Sequence, residues 1–207
     1  MVVKVCGIKT KENIELISHL NIEMVGLNFY PPSVRYIELS VPPDHFDILP
    51  KEIKRVGVFV NESLEEIESL ASKFCLDYIQ LHGEEDVDFC KSVAAKYKII
   101  KVFRVDEQTD FKNISEFSFA EYYLFDTATK HFGGSGKKFD WSRLDEYQGD
   151  IPFLLSGGIG PHDTETVSSY IHPQYKGIDI NSKFESSPGI KDNELLFTFM
   201  EKLSLNK

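Results

Sequence analysis

The stretch RVGVFVNESLEEIESLASKFCLDYIQLH, residues 55–82, decides the fold, because it holds two apolar runs separated by an amphipathic segment. The two runs, Arg55–Val60 and Tyr78–His82, are rich in aliphatic and β-branched residues and have the length of strands. Between them, Ser63 followed three positions later by a glutamate is a helix start signal, and the apolar residues of Ser63–Phe74 recur at helical spacing. The stretch therefore predicts a strand, a helix and a second strand parallel to the first.

The same alternation runs along the whole chain. Strands are predicted at Val2–Cys6, Met24–Phe29, Arg55–Val60, Tyr78–His82, Ile99–Val105, Glu121–Asp126, Pro152–Ser156 and Gly177–Asn181. Helical stretches are predicted at Lys11–Leu20, Pro43–Leu49, Ser63–Phe74, Val87–Tyr97, Asp110–Glu116, Trp141–Glu146, Asp163–Tyr170 and Asn193–Leu203. Eight such pairs favour an α/β fold, a (β/α)₈ TIM barrel, with an open doubly wound sheet as the alternative. No linker divides the chain, so we expect a single domain over residues 1–207.

Composition and charge exclude several classes of protein. The chain has 23 basic and 33 acidic residues, and this net charge of −10 argues against binding to nucleic acid or to an anionic membrane. The chain has three cysteines and no C-x-x-C pair, which argues against a disulfide framework and against a zinc site. No run approaches the roughly 20 apolar residues of a membrane span, and the N-terminus has no signal-peptide pattern. We therefore expect a cytoplasmic protein.

Two connections are longer than the others. They follow the second and sixth predicted strands and contain Tyr30–Ile37 and Thr127–Asp140, which are rich in Pro, Gly, Ser and cations. In a parallel barrel these loops lie at the carboxyl ends of the strands, where active sites are built. They are either tolerated insertions or lids that face each other across the barrel mouth.

Several polar residues close predicted strands and are candidates for chemistry. Cys6 ends the first strand, Asp126 ends the sixth, and Gln80 and His82 end the fourth, where alternation points both the same way. Each has a structural alternative: Cys6 as a small core residue, Asp126 as a loop cap and His82 as a packed histidine. Gln80 and His82 are predicted to contact a substrate. Arg104, Asp179 and Asn181 also lie near strand ends.

A glycine cluster follows the seventh strand and a polar segment follows the eighth, and together they favour an anion site. Gly157 and Gly158 follow the seventh strand, and Asn181 and Ser182 follow the eighth. In this fold those two loops often bind phosphate, because glycines let backbone N–H groups approach the anion, although glycines also mark ordinary turns. A third cluster, Gly133–Lys138, lacks the spacing of a Walker A loop, and no dinucleotide fingerprint follows the first strand.

Taken together, these segments resemble phosphoribosylanthranilate isomerase, an enzyme family of tryptophan biosynthesis, over nearly the whole chain. The segments that carry the resemblance are Lys4-Val-Cys-Gly-Ile-Lys9, Gly26-Leu-Asn-Phe-Tyr-Pro31 with Arg35-Tyr36, Arg55-Val-Gly-Val-Phe-Val-Asn61, Gln80-Leu-His-Gly83, Phe125-Asp-Thr127, Gly133-Gly-Ser-Gly-Lys137 with Phe139-Asp-Trp141, Ser156-Gly-Gly158 and Pro188-Gly-Ile-Lys-Asp192. Each segment is a weak signal alone, but their order along a barrel is highly specific.

The resemblance implies an activity and roles for three residues. The family consists of (β/α)₈ barrels without metal or organic cofactor that catalyse the Amadori rearrangement of N-(5-phosphoribosyl)anthranilate to its 1-deoxyribulose isomer. Its general base corresponds to Cys6, its general acid to Asp126 and its anthranilate-binding arginine to Arg35. An acid that donates near pH 7 needs a raised aspartate pKa, and a cysteine base needs its thiolate form. Cys6 and Asp126 would lie three strands apart around an eight-stranded ring.

Departures from the family pattern and competing functions remain open. Val34 stands where the family often has proline, and Lys183 replaces a glycine after strand eight, which puts the phosphate geometry in doubt. One alternative is another sugar-phosphate aldose–ketose isomerase barrel; the other is a barrel that binds a phosphorylated ligand without catalysis. The expected partner is a small phosphorylated substrate, not nucleic acid or membrane, and the chain is expected to be a monomer or homodimer.

Overall fold

Eight parallel strands close into a barrel in the computed structural model, which describes residues 1–37, 41–127 and 140–205. The strands are β1 Val2–Cys6, β2 Met24–Asn28, β3 Lys54–Phe59, β4 Tyr78–Leu81, β5 Lys98–Val105, β6 Tyr122–Thr127, β7 Phe153–Leu155 and β8 Tyr175–Ile180. Each strand pairs with the next, and β8 pairs with β1 from Val2↔Gly177 to Val5↔Ile180. The predicted TIM barrel is confirmed, and the closing β1–β8 pairing excludes the open sheet.

Helices connect the strands on the outside. They are α1 Lys11–Ser18, α2 Leu64–Phe74, α3 Val87–Ala94, α4 Thr164–Ser169 and α5 Asn193–Leu205. At the start of α2 the Ser63 hydroxyl accepts a hydrogen bond of 3.2 Å from the Glu66 amide, as its sequence predicts. None of the helices within the described residues is long and apolar enough to span a membrane.

Three predicted helical stretches are 3₁₀ turns rather than α-helices. They are Pro43–Ile48, Asn113–Phe117 and Trp141–Glu146. Each spans only five or six residues and is held by one or two buried apolar side chains, such as Phe46 or Ile114. A 3₁₀ helix is common in segments this short. Five or six residues form too few i→i+4 hydrogen bonds to stabilise a full α-helix.

Strand alternation sorts the side chains into an inner and an outer core. The barrel interior is filled by a small cluster in which every strand residue has an even number; its buried members are Met24, Val56, Tyr78, Ile100, Val102, Leu124 and Leu154. The larger outer cluster, between strands and helices, holds odd-numbered residues of the first seven strands, such as Val25 and Phe125, and the even-numbered Ile178 and Ile180 of β8. Cys6, Gln80 and Asp126 continue the even-numbered rows toward the carboxyl ends, so the predicted site residues lie at the barrel mouth.

A small hairpin follows β8 that the sequence pattern does not predict. After the 3₁₀ turn Ser182–Phe184, β9 Glu185–Ser187 pairs antiparallel with β10 Ile190–Lys191. These strands are three and two residues long, too short to show alternation. The hairpin brings Glu185 and Lys191 to the barrel mouth.

Candidate active site

One cavity at the carboxyl ends of the strands collects all nine predicted site residues. It encloses about 1150 Å³ of space, part of it open to solvent. The predicted residues that line it are Cys6, Arg35, Gln80, His82, Asp126, Gly157, Gly158, Asn181 and Ser182. Residues that lie up to 176 positions apart in the chain therefore share one site because every strand ends at the same rim.

Cys6 lies on the inner face of β1 with only 6% of its surface exposed. Beneath it Lys4, fully buried, forms an ion pair of 2.8 Å between its Nζ and Oδ1 of Asp179 on β8. Burial raises the pKa of the Cys6 thiol, whereas the Lys4 ammonium acts to lower that pKa. The sequence analysis names Asp179 as a polar residue near a strand end but does not name Lys4. A lysine at an inward position of the apolar strand VVKVC was a signal that could have identified it.

Asp126 ends β6 on the opposite side of the cavity, three strands from Cys6 around the ring. Its Oδ1 accepts a hydrogen bond of 2.8 Å from the Thr127 amide, and its Oδ2 lies 3.6 Å from Nε2 of His82. A Cβ added to Gly157, which has φ +86°, would lie 2.8 Å from Asp126 Oδ1. The glycine is therefore required both by its left-handed backbone and by the close approach of the carboxylate.

Gln80 and His82 point the same way, as the alternation predicts, and their side chains are in contact. The Gln80 amide Nε2 lies 3.1 Å from Nδ1 of His82. Because an amide nitrogen can only donate, Nδ1 accepts, and Nε2 carries the ring proton toward Asp126. Gln80 is fully buried, and its Oε1 has no hydrogen-bond partner within the described residues. Gln80 lines the cavity, but this oxygen is itself buried.

A buried carboxylate that the sequence analysis did not identify supports this segment. Glu85 accepts hydrogen bonds from the Asn61 amide at 2.9 Å and the Gly83 amide at 3.0 Å, and it pairs with Lys101 at 2.7 Å. These contacts join the ends of three neighbouring strands. They fix the turn at Gly83 and hence the position of His82 directly before it.

Arg35 is held in place by a second carboxylate that the sequence analysis assigned no role. Glu185 accepts from the Arg35 Nε at 2.9 Å and from its Nη2 at 2.7 Å, and it also pairs with Lys191 at 2.8 Å. Burial opposes ionisation of Glu185, but the hydrogen bonds from these two cations hold its pKa below the usual range. Lys191 further donates to Asn181 Oδ1 at 2.7 Å, so this network links the loop after β2 to the segment after β8.

The two predicted phosphate loops lie beside each other at the rim. Gly157 and Gly158 have φ values of +86° and +71°, which favour glycine, and both face the cavity together with Asn181 and Ser182. A Cβ on Gly160 would lie 3.5 Å from the Cβ of Lys183, so the lysine that replaces the family's glycine lies next to the glycine loop. Its side chain is exposed there.

The third glycine cluster, Gly133–Lys138, lies outside the described residues, as does most of the loop Thr127–Asp140. The loop Tyr30–Ile37 is described, and it supplies Arg35 and several other residues of the cavity wall. The loop Tyr30–Ile37 therefore forms part of the cavity wall. That the loop Thr127–Asp140 acts as a lid stays a prediction.

Comparisons with known proteins agree with the architecture. Residues 3–202 match the family model of N-(5'phosphoribosyl)anthranilate (PRA) isomerase. The chain is 41% identical to the N-(5'-phosphoribosyl)anthranilate isomerase of Parabacteroides distasonis over 98% of this chain and 93% of that protein. The crystal structure of phosphoribosyl anthranilate isomerase from Thermotoga maritima superposes with a TM-score of 0.86 at 34% identity, covering 99% of each chain.

A further solved member of this family contains a ligand. That structure, a complex of phosphoribosyl anthranilate isomerase with reduced 1-(o-carboxyphenylamino)-1-deoxyribulose 5-phosphate, superposes with a TM-score of 0.81 at 31% identity over 99% of each chain. The family match covers nearly all of the sequence, and the relatives share both length and fold. The chain therefore belongs to the N-(5'-phosphoribosyl)anthranilate isomerase family, the isomerases of tryptophan biosynthesis.

Proposed function

We propose that the cavity carries out the Amadori rearrangement with Asp126 as general acid and Cys6 as general base. The observation that carries the proposal is the placement of these two groups on opposite walls of one cavity, three strands apart. A sugar ring between them would present its ring oxygen to one group and its C2 hydrogen to the other. General acid–base catalysis requires this kind of two-sided arrangement.

In the first step Asp126 protonates the furanose ring oxygen, and the ring opens to a Schiff base. The carboxylate that results is supported by the Thr127 amide at 2.8 Å and faces Nε2–H of His82 at 3.6 Å. Both groups stabilise the carboxylate that remains after the proton has been transferred. His82 and Gln80 thus assist the acid and line the substrate site.

In the second step the Cys6 thiolate removes the C2 proton of the sugar, and the resulting enolamine converts to the ketone. The apolar surroundings of Cys6 oppose the thiolate, because burial raises the pKa of this thiol. A base at this position needs a nearby cation. Lys4 is the cation directly beneath it.

Arg35 binds the anthranilate carboxylate in this proposal. Glu185 orients the guanidinium through Nε and Nη2, and a guanidinium carries five N–H donors, so one arginine can serve two carboxylates. Gly157, Gly158, Asn181 and Ser182 bind the phosphate at the other end of the substrate. Lys183, beside this loop, adds positive charge where the family usually has none.

The relatives support the class of ligand and suggest an assembly. The reduced deoxyribulose phosphate held by one relative carries a carboxyl group and a phosphate, the two groups that Arg35 and the loops after β7 and β8 would bind in this proposal. A solved relative from Thermotoga maritima is described as dimeric, and this chain is proposed to be a homodimer or a monomer. Three free cysteines agree with a proposed cytoplasmic location.

Turnover of freshly prepared N-(5-phosphoribosyl)anthranilate, followed by loss of anthranilate fluorescence, tests the proposal. We expect turnover by the parent protein and near-complete loss in Cys6→Ser, because serine is close in size but its hydroxyl is a far poorer base. The melting temperature of the variant serves as the control for folding. A protein that binds the reduced product analogue without turnover would instead be a non-catalytic barrel. A Cys6→Ser variant that keeps its activity would show that Cys6 is a structural residue of the core and not the base.

A further inference from the structure

Lys4 is a buried cation in a place where the barrel needs an apolar side chain. It belongs to the even-numbered rows that fill the interior, and its register partner on β2 is Met24 of the inner core cluster. Its side chain is fully buried, and that of Asp179 is 6% exposed. Replacing such a buried pair by apolar residues is often neutral or stabilising, so core packing alone does not explain the pair.

The ammonium of Lys4 lies next to the thiol of Cys6. A Cβ added to Gly26 on β2 would lie 2.7 Å from Cys6 Sγ and 3.1 Å from Lys4 Nζ, so both atoms face the same small space. The Lys4 ammonium acts to lower the pKa of the Cys6 thiol, and Cys6 acts to raise the pKa of Lys4. Any side chain at Gly26 would separate them, which accounts for the glycine in the middle of an apolar strand.

The charge state of Lys4 suits a partner of the thiolate. Burial acts to lower its pKa, but the Asp179 carboxylate prevails together with Cys6, and the pKa of Lys4 is raised above its ordinary value. An ammonium has three N–H donors, and Asp179 Oδ1 accepts one of them at 2.8 Å. A second donor is thus available for sulfur while Asp179 holds the side chain in place.

Other ionisable groups face Cys6 from the neighbouring elements. Asp179 on β8 acts to raise the pKa of the thiol, and Lys191 on β10 acts to lower it, though less than Lys4 does. Lys191 is already engaged by Glu185 at 2.8 Å and by Asn181 at 2.7 Å. The other ionisable side chains that line the cavity, among the described residues, are Tyr30, Arg35, His82 and Asp126.

We propose that Lys4 is a positioning residue for the reaction, whose ammonium, anchored by Asp179, donates to the Cys6 sulfur and stabilises the thiolate that acts as base. The inference rests on the proposed function, since it presupposes that Cys6 removes the substrate proton. Lys4 itself touches no substrate, because it lies below Cys6 and outside the cavity lining. It acts only through the protonation state of the sulfur.

The test is Lys4→Met, which keeps the length of the side chain and removes the charge. We expect the pH profile of Cys6 alkylation to move upward by about one unit or more and kcat/KM at neutral pH to fall about tenfold or more, because a lost cation raises the thiol pKa and lowers the thiolate fraction. The rate at which iodoacetamide alkylates Cys6 at neutral pH, measured by mass spectrometry of the Cys6 peptide, should fall roughly tenfold, in line with the thiolate fraction. KM should stay within about threefold of the parent value, because Lys4 does not contact the substrate and the binding of the substrate should not change.

Lys101→Met is the matched control. Lys101 is also a buried strand lysine, paired with Glu85 at 2.7 Å, and it lies on β5 away from Cys6. Its loss should lower the melting temperature as the loss of Lys4 does, because both variants leave a buried carboxylate unpaired. It should leave the rate and the pH profile of Cys6 alkylation where they are in the parent.

A double variant guards against misfolding of Lys4→Met. Lys4→Met with Asp179→Asn removes both charges and leaves no unpaired buried ion. It should shift the pH profile of Cys6 alkylation upward by less than Lys4→Met does, because Asp179 acts to raise the thiol pKa and its charge is lost as well. A pH profile and a rate of Cys6 alkylation unchanged in folded Lys4→Met, or a larger upward shift in the double variant than in Lys4→Met, would overturn the role of Lys4 and leave the pair purely structural. Failure of the proposed function looks different: Cys6→Ser would remain active, or the parent would not turn over the substrate at all.

Discussion

Replacement of Asp126 by asparagine is the most direct test of how the ring opens. The amide keeps an oxygen that can accept from the Thr127 amide, which lies 2.8 Å from the present carboxylate. It places an NH₂ group at the position of Oδ2. That oxygen lies 3.6 Å from His82 Nε2, too far for a strong hydrogen bond, so little binding energy is lost there. Folding and substrate binding should therefore survive.

The expected loss is in kcat, because the amide cannot deliver a proton. General acid catalysis typically supplies about 10²–10⁴-fold, or roughly 2.7–5.5 kcal/mol of barrier. The nearest other ionisable side chain is His82, whose Nε2 lies 3.6 Å from Asp126 Oδ2, and it does not line the opposite wall where the ring oxygen of the substrate would have to move to reach another donor. We therefore expect a loss toward the upper end of that range.

The assay is single-turnover loss of anthranilate fluorescence, combined with the Kd of the reduced product analogue. That analogue needs no protonation, so its Kd should change by less than about tenfold, or 1.4 kcal/mol. Asp86→Asn is the matched control: Asp86 caps α3 by accepting from the Phe89 amide at 2.8 Å, asparagine caps equally well, and activity should stay at the parent level.

An Asp126→Asn variant that keeps more than about a tenth of the parent kcat would refute the reasoning, since a tenfold loss is only 1.4 kcal/mol. Asp126 would then be a cap for its own loop, held by the Thr127 amide. The acid would have to be sought elsewhere in the cavity. His82 would be the first candidate.

Two further predictions concern substrate binding. Arg35→Ala should weaken transition-state stabilisation by roughly 2–4 kcal/mol in kcat/KM while the fold is kept, because Glu185 retains Lys191 as its partner; an unchanged kcat/KM would contradict the carboxylate assignment. Inorganic phosphate at about 50 mM should raise the melting temperature by about 2–4 °C for a Kd near 10 mM, through the Gly157 and Asn181 loops; no shift relative to chloride at matched ionic strength would count against the phosphate site.

The barrel itself was largely predictable from the sequence, because the period of its apolar residues is a local property. The prediction of β1 at Val2–Cys6 agrees with the structure residue for residue, and most other strands shift by one or two positions. The helical stretches at 43–49, 110–116 and 141–146 were placed correctly but assigned the wrong geometry. The choice between an α-helix and a 3₁₀ turn over six residues depends on how the chain packs, since neither has enough internal bonds to decide it.

The site was partly predictable for the same reason. Cys6 and Asp126 end apolar strands on their inward faces, and in a parallel barrel all strands end at one rim, so their meeting in one cavity follows once the barrel is assigned. Gln80 and His82 could be paired by alternation alone, and their side chains lie 3.1 Å apart. The roles of these residues came from the resemblance to the family and remain proposals.

Only the tertiary structure decided which charges support the site. Lys4 meets Asp179 across 175 positions of sequence, and Arg35 meets Glu185 across 150, because closure of the barrel places β8 beside β1 and brings the β9 hairpin to the loop after β2. Sequence periodicity tells whether a side chain faces inward but not which partner lies opposite it. A buried charge is stabilised only by such a partner, so the electrostatics of the site emerge when the ring closes.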